Sequence, residues 1–486
     1  MKILNANFRK VIFCILSFFL FAFLSENSLC AEPKEREYWP TIGWKTSTPE
    51  LQGMDSTKLS IAVEFIQSRL PNVYSLLVVK NGYLVYEKYF YIGSVSRSAE
   101  IRSVTKSITS TLIGIALEKG YINSVDQKLI EFFPEYYTDG LDPKKKEISL
   151  ENLLTMSAGF QWNERGPISR EWEWSPDRMK FTIQLPLENR PGKVFEYNTS
   201  ASHLLSGILT KTTKISTLDF ANQHLFKPLG ISVNSWRQDL QDYYYGGYGL
   251  KLTARDLAKI GYLYLNNGYW SGRSIISEYW VKESTKQQIH AFNSPIYGAF
   301  GYGYQWWVKK VDGYNSFRAL GRGGQFIVVV PELDLVIVVT SDPAPPHPPT
   351  WIHYSPLFDL VAGAVKSERP PKKPLKAVEL PSAVKAFITN YNQVLSDKNM
   401  MKIANFFSDR YLHDGFTKQM VLKWLTRTLS YTSEAKIIIT KFEPEGDEVK
   451  IEYLLKDKYF EAPFITGSML IKENGQWKWY GNQIPK

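Results

Sequence analysis

The sequence predicts an α+β protein in which one antiparallel sheet is packed by helices and a smaller α+β cone follows. Three observations point there. Strand-like runs stand near both ends of residues 34–365 with a helical middle between them. A proline-rich stretch then interrupts the periodicity. After it the order restarts, helices first and strands last.

The elements follow in order. Tyr74 to Tyr91 reads as a hairpin, with Asn81-Gly82 at the turn between two β-type runs. Ser103 to Lys119 reads as a helix with Ile108, Leu112, Ile115 and Ala116 on one side, stopped by Gly120. Thr253 to Leu265 is a second helix, with Thr253 and Asp256 as its capping box. Phe326 to Val330 and Leu335 to Thr340 are strands separated by Pro331-Glu332-Leu333-Asp334. Residues 366–381 carry four prolines and read as an extended linker. Residues 382–486 form the cone: helices Val384 to Leu395, Lys402 to Phe407 and Lys418 to Leu429, then strands Ala435 to Phe442, Glu448 to Leu455, Gly467 to Lys472 and Trp477 to Tyr480.

Composition narrows the function classes. The chain has 486 residues, 44% hydrophobic and 22% charged, which excludes wholesale disorder and suggests more than one domain. The net charge is +10, but the basic residues are scattered rather than gathered into a stripe, so nucleic-acid binding is not expected. Peripheral attraction to an anionic cell envelope is an open, unspecific option.

At the N-terminus, Lys2, Arg9 and Lys10 precede the apolar run Val11 to Leu24 and a small, polar segment ending at Ala31. Residues 1–31 therefore read as a secretory signal peptide, and a secreted or periplasmic protein is expected. Cys30 raises lipid anchoring, yet Leu29 occupies the position where a lipobox wants a small residue. The only cysteines are Cys14 and Cys30, so beyond this segment there is neither disulfide nor thiol chemistry.

Three groups carry candidate chemistry. Ser103-Val104-Thr105-Lys106 places a lysine amine one helical turn from a serine hydroxyl, on the same face. A partly buried lysine loses basicity and can take the serine proton. The spacing also occurs at Ser382-Lys385 and Ser433-Lys436, but only Ser103 opens a strongly apolar helix, where backbone N–H groups favour developing negative charge. The second group, Pro191 to Thr199, is a turn and an extended piece before a helix at about Ala201 to Leu209. Tyr197 sits at its bend, and a phenolate there would serve as a general base. The third is Gly321-Arg322-Gly323-Gly324-Gln325, leading into a buried strand. Its glycines would let a ligand approach the backbone. The Gln325 N–H would pair with the Ser103 N–H as an oxyanion hole, and Arg322 would add charge at the rim.

In this order the three groups resemble the serine β-lactamase/penicillin-binding-protein superfamily, and most closely its class C β-lactamase-like branch with its esterases, DD-peptidases and 6-aminohexanoate-dimer hydrolases. Leu153 to Phe160, Leu225 to Ile231 and Gly249 to Leu257 support the resemblance, which covers roughly residues 40–365. It implies a nucleophile at Ser103, an activating Lys106, a proton-shuttling Tyr197 and an oxyanion hole at Ser103 and Gln325. It implies no metal and no cofactor. Thr199 stands where the family commonly has Asn, and Arg322-Gly323-Gly324 where true β-lactamases have Lys-Thr-Gly. Threonine cannot copy a carboxamide's two-ended pairing, whereas arginine keeps the charge and can grip a carboxylate.

The expected function is therefore an exported serine hydrolase that cleaves a small ester or amide through an acyl-serine. The alternatives are a β-lactamase or DD-peptidase acting on cell-wall-type peptide, or a catalytically weak ligand-binding protein. Thr199, Arg322, Gly323, Gly324 and Trp162 are the expected substrate contacts, with Trp172, Trp174, Tyr302, Trp306 and Trp307 as further cleft candidates. His203 is read as structural, and His347 lies in the Pro-rich loop Pro343 to Pro349 with no metal-ligand constellation expected around it. The cone is similar in element order to NTF2-like domains.

Overall fold

The computed structural model describes residues 35–483, save 139, 295–297, 346–350, 367–377, 414, 431, 433, 446–447 and 460. The expected signal peptide, most of the linker and His347 lie outside the described residues. Among those described, no helix is long and apolar enough to cross a membrane.

The larger region is built on an eight-stranded antiparallel sheet. Its strands are β1 (Val73–Lys80), β2 (Tyr83–Tyr89), β3 (Ile289–Ser294), β4 (Gly298–Tyr302), β5 (Trp307–Val308), β6 (Phe317–Gly321), β7 (Gln325–Val330) and β8 (Leu335–Ser341). They lie in the order β2-β1-β8-β7-β6-β5-β4-β3, so the two chain ends of the region meet where β1 pairs with β8.

The central strands are apolar without alternation because both of their faces are covered. Leu77, Val79, Ile327, Val329, Val336 and Val338 join the core on one side. Leu76, Val78, Phe326, Val328, Leu335 and Ile337 join the core on the other. Helices α1 (Ser56–Arg69) and α5 (Ser355–Gly363) cover the second face. The first face carries α2 (Val104–Glu118), α3 (Thr199–Thr213) and α4 (Ala254–Leu265) within the helical middle of the chain. The Thr253–Asp256 capping box is present as the sequence predicts. Helix α3 begins earlier than expected, at Thr199, because the Asn198 carboxamide accepts the Ala201 N–H at 3.0 Å and caps it.

The C-terminal region has its own core. It comprises α6 (Ser382–Ser396), α7 (Met400–Ala404), α8 (Lys418–Leu429) and a four-stranded antiparallel meander, β9 (Lys436–Glu445), β10 (Glu448–Lys456), β11 (Glu461–Glu473) and β12 (Gln476–Gly481). A turn at residues 457–459 packs against the larger region. There Tyr459 packs edge-on against Phe65 of α1 at 5.3 Å, and its hydroxyl donates to Glu64 at 3.1 Å.

Candidate active site

Ser103 stands at the junction of an irregular turn and α2. Arg102 just before it holds a left-handed backbone, φ 50°, with its guanidinium tied to Glu100 at 3.2 Å and to the Pro343 carbonyl at 3.0 Å. Such a conformation persists only where its surroundings impose it. The turn's backbone hydrogen bonds run from the Val104, Thr105 and Lys106 N–H groups to the carbonyls of Ile101, Arg102 and Ser103. The Ser103 N–H stands at the helix N-terminus, one residue before α2 begins.

Lys106 is fully buried, and its three ammonium protons are all accounted for. Nζ donates to Ser103 Oγ at 3.2 Å, to Thr199 Oγ1 at 2.9 Å and to the Gly247 carbonyl at 3.0 Å. Burial brings its pKa down to about 8, against an upward pull from Glu164. A backbone carbonyl accepts only, so the lone pair of the neutral amine has to face one of the two hydroxyls. A Cβ on Gly247 would stand 2.9 Å from Thr199 Cγ2 and 3.1 Å from Lys106 Nζ, so the absence of a side chain there leaves room for the amine.

Tyr197 lies beside this group, with Lys106 Nζ 5.0 Å from its ring centroid and Trp307 stacked on it at 5.7 Å. Burial first, then the Glu164 charge, push its phenol above the usual tyrosine range, while a hydrogen bond with Ser103 works the other way. The phenol therefore keeps its proton at neutral pH. This corrects the expectation of a phenolate base: the group is poised to give a proton before it takes one.

Glu164 is the residue that sequence reasoning missed. Its carboxylate accepts the Thr199 N–H at 3.1 Å, the Thr199 hydroxyl, and the Trp162 indole N–H at 2.8 Å. The side chain is nevertheless exposed. No spacing signal marks it, since it reaches Thr199 from a loop 35 positions away. Two expected substrate contacts change meaning with it. The Thr199 hydroxyl is engaged with Lys106 and Glu164 rather than turned to a ligand. Trp162 is buried, edge-on to Trp172 at 6.1 Å, and spends its only donor on Glu164.

The glycine-rich segment also departs from expectation. Gly323 and Gly324 have φ of 86° and 104°. A Cβ on Gly323 would meet the Asp342 carbonyl at 2.2 Å, and one on Gly324 the Tyr354 hydroxyl at 2.0 Å. Their lack of side chains thus answers packing inside the fold, not ligand access. Gln325 is buried, and its carboxamide is paired with Ser341 in both directions, at 2.7 and 3.2 Å. That anchoring fixes the backbone of residue 325 at the start of β7, next to Gly321, whose Cβ would lie 2.4 Å from the Ile101 carbonyl. The strand edge and the nucleophile's turn are thereby in contact. Arg322 is exposed. Among the aromatics, Tyr302 and Trp307 pack around Tyr197, Trp306 is buried against Tyr264 at 4.4 Å, and Trp174 is exposed.

His203 is buried and supports the site from behind. Nε2 pairs with Asp239 at 2.9 Å, and Nδ1 accepts the Gly246 N–H at 3.4 Å. Burial pushes its pKa down. The Gly246 carbonyl in turn accepts Thr109 Oγ1 of α2 at 2.8 Å, so this pair seats the Gly246-Gly247 segment that Lys106 reads.

An activated serine beside a buried lysine and a protonated tyrosine, packed against an antiparallel sheet, defines a serine acyl hydrolase. The chain belongs to the Beta-lactamase family, whose profile matches residues 63–350. It is 23% identical over 321 residues to the 6-aminohexanoate-dimer hydrolase of Paenarthrobacter ureafaciens, covering 60% of this chain and 80% of that protein. In structure it is similar to a penicillin-binding protein homologue from Caulobacter crescentus, with TM-score 0.51, 15% identity, and coverage of 63% of this chain and 97% of the other. It is also similar to EstCE1, a hydrolase with promiscuous acyltransferase activity, with TM-score 0.51, 14% identity, and coverage of 64% and 98%. Homologues with this fold are acyl-enzyme serine hydrolases.

Proposed function

We propose that the protein is an exported hydrolase of small esters or amides that works through an acyl-enzyme at Ser103. The observation that carries this reading is the fully buried Lys106 amine, 3.2 Å from Ser103 Oγ and with its pKa lowered to about 8. Neutral Lys106 takes the hydroxyl proton as Oγ attacks the carbonyl carbon. The N–H groups of Ser103 and Gln325 receive the negative charge that develops on the carbonyl oxygen. The Tyr197 phenol donates its proton to the leaving alcohol or amine, and the Lys106 ammonium, which holds the proton taken from Ser103, reprotonates it. Water then cleaves the acyl-serine by the reverse sequence. Similarity to a 6-aminohexanoate-dimer hydrolase and to EstCE1 supports small acyl substrates.

The test is a short-chain p-nitrophenyl ester. A burst of nitrophenol followed by steady turnover, absent in Ser103→Ala, is the expected result. Equal rates in both proteins would sink the nucleophile assignment. One observation favours a second reading, a peptidase or β-lactamase on cell-wall-type peptide: Arg322 is exposed at the approach to β7, where a guanidinium would hold a substrate carboxylate. Release of terminal D-Ala from a model peptide, or opening of a chromogenic cephalosporin, at rates above those on the ester would establish it.

A further inference from the structure

At neutral pH the resting Lys106 carries a proton that it has to lose before it can serve as the base, and its side chain is fully buried. Its surroundings offer two side-chain hydroxyls and one carbonyl. Ser103 is the nucleophile and the Gly247 carbonyl cannot carry a proton onward. Thr199 is different. Its Oγ1 accepts from Lys106 Nζ at 2.9 Å and donates to Glu164 Oε1. Glu164 is exposed to solvent. A continuous chain of hydrogen bonds, Nζ–H to Oγ1–H to Oε1, thus runs from the buried amine to the surface.

We infer that Thr199 and Glu164 form a proton relay that charges and discharges Lys106. The inference rests on the acyl-enzyme reading above. In the discharge step the Nζ–H bond facing Thr199 breaks and a new Oγ1–H bond forms. The hydroxyl's original proton passes at the same time to Glu164 Oε1. The products are a neutral amine, an intact hydroxyl and a protonated carboxyl, and the carboxyl then releases its proton to water. Rotation about the Cε–Nζ bond turns the freed lone pair to Ser103. The same wire runs backwards when Lys106 must be recharged.

This gives the Thr199 departure a physical sense. A carboxamide at this position would accept from the lysine through its oxygen and donate through its nitrogen, two separate atoms, and could not pass a proton along. A hydroxyl accepts and donates at one atom and can. Trp162 then has a part as well. Its indole N–H fixes Glu164 Oε2, which leaves Oε1 aimed at Thr199. Thr199 and Glu164 act through Lys106 and need not touch substrate.

The test compares burst amplitude, kcat and KM on the p-nitrophenyl ester for wild type, Thr199→Ser, Thr199→Val, Thr199→Asn and Glu164→Ala. Thr199→Val and Thr199→Asn lower kcat by roughly 100-fold with KM nearly unchanged, at the lower end of the range for positioned proton-transfer groups. Thr199→Ser restores most of it. Glu164→Ala loses a similar factor, and formate recovers it whereas chloride at equal ionic strength does not. Full kcat in Thr199→Asn would overturn the relay, because that variant keeps a hydrogen bond to Lys106 but cannot pass a proton. So would a Glu164→Ala defect that formate leaves untouched. A wild type no faster than Ser103→Ala would instead sink the acyl-enzyme reading, and the relay with it.

Discussion

The chain spells the same pattern twice at the start of a helix, Ser103-x-x-Lys106 on α2 and Ser382-x-x-Lys385 on α6. In both, helical geometry places the lysine one turn after the serine. On α6 both side chains are exposed. On α2 the lysine is buried and each of its donors meets a partner from a different part of the fold: α2 itself, the start of α3, and the Gly246-Gly247 segment. Spacing therefore supplies an encounter, and burial supplies the chemistry. In water an ammonium gains nothing by losing its proton at neutral pH. In the core the charged form is penalised, and the amine becomes a usable base.

The sharpest way to break this comparison is to remove each serine in turn. Ser103→Ala should lower ester kcat by on the order of 10⁴-fold or more, as loss of a covalent nucleophile does. Ser382→Ala should leave kcat and KM unchanged. If both variants kept full activity, the motif on α2 would have no claim over its copy.

The lysines come next, through pH. The base works in its neutral form, so kcat/KM should rise with pH through about 8 and level off above it, following the pKa of Lys106. In Glu164→Gln the upward pull of that carboxylate is gone, so the rising limb should move to lower pH. Lys385→Ala should leave the profile in place. A limb that moves upward in Glu164→Gln would contradict the electrostatic account.

A smaller effect separates the site from its support. His203→Ala should cost about 2–4 kcal/mol in denaturant unfolding, because it strips a buried carboxylate and a backbone N–H of their partner. The linkage has a definite sign. The folded-state pKa of His203 lies below the ordinary value near 6.5, so the unfolded chain takes up the proton first. Stability should therefore fall as pH drops below about 6.5 and stop falling, for this group, below the folded value. The slope should vanish in His203→Gln.

The smallest expected change is at the surface pair Lys458–Glu64, 2.6 Å apart and solvent-exposed, which joins the C-terminal region to α1. Lys458→Ala should leave the melting temperature within error, since exposed ion pairs are screened. Tyr459→Ala, which removes the ring packed on Phe65, should lower it measurably.

Much of the fold was legible in the sequence. The Asn81-Gly82 hairpin, the Thr253 cap and the order of helices and strands after residue 381 are local matters of turn chemistry and periodicity, and the structure keeps them with shifts of a few residues. The site was legible in part. Ser103, Lys106 and Tyr197 stand in motifs, and the structure brings them together. Glu164 stands in none. Thr199 looked like a weakened substrate contact until its two neighbours were seen. Gly323 and Gly324 looked like room for a ligand, yet they make room for Asp342 and Tyr354.

By itself, then, the sequence determined what local forces determine: where helices start and stop, which runs pair as strands, and that a serine and a lysine share a helical face. These depend on residues within a turn or two of one another. Only the tertiary structure decided which Ser-Lys pair is buried, that the Tyr197 phenol keeps its proton, and that an exposed carboxylate is wired through a threonine to a buried amine. Those properties come from desolvation and from contacts between segments far apart in the chain. A field that long-range packing creates has no local signature in the order of residues.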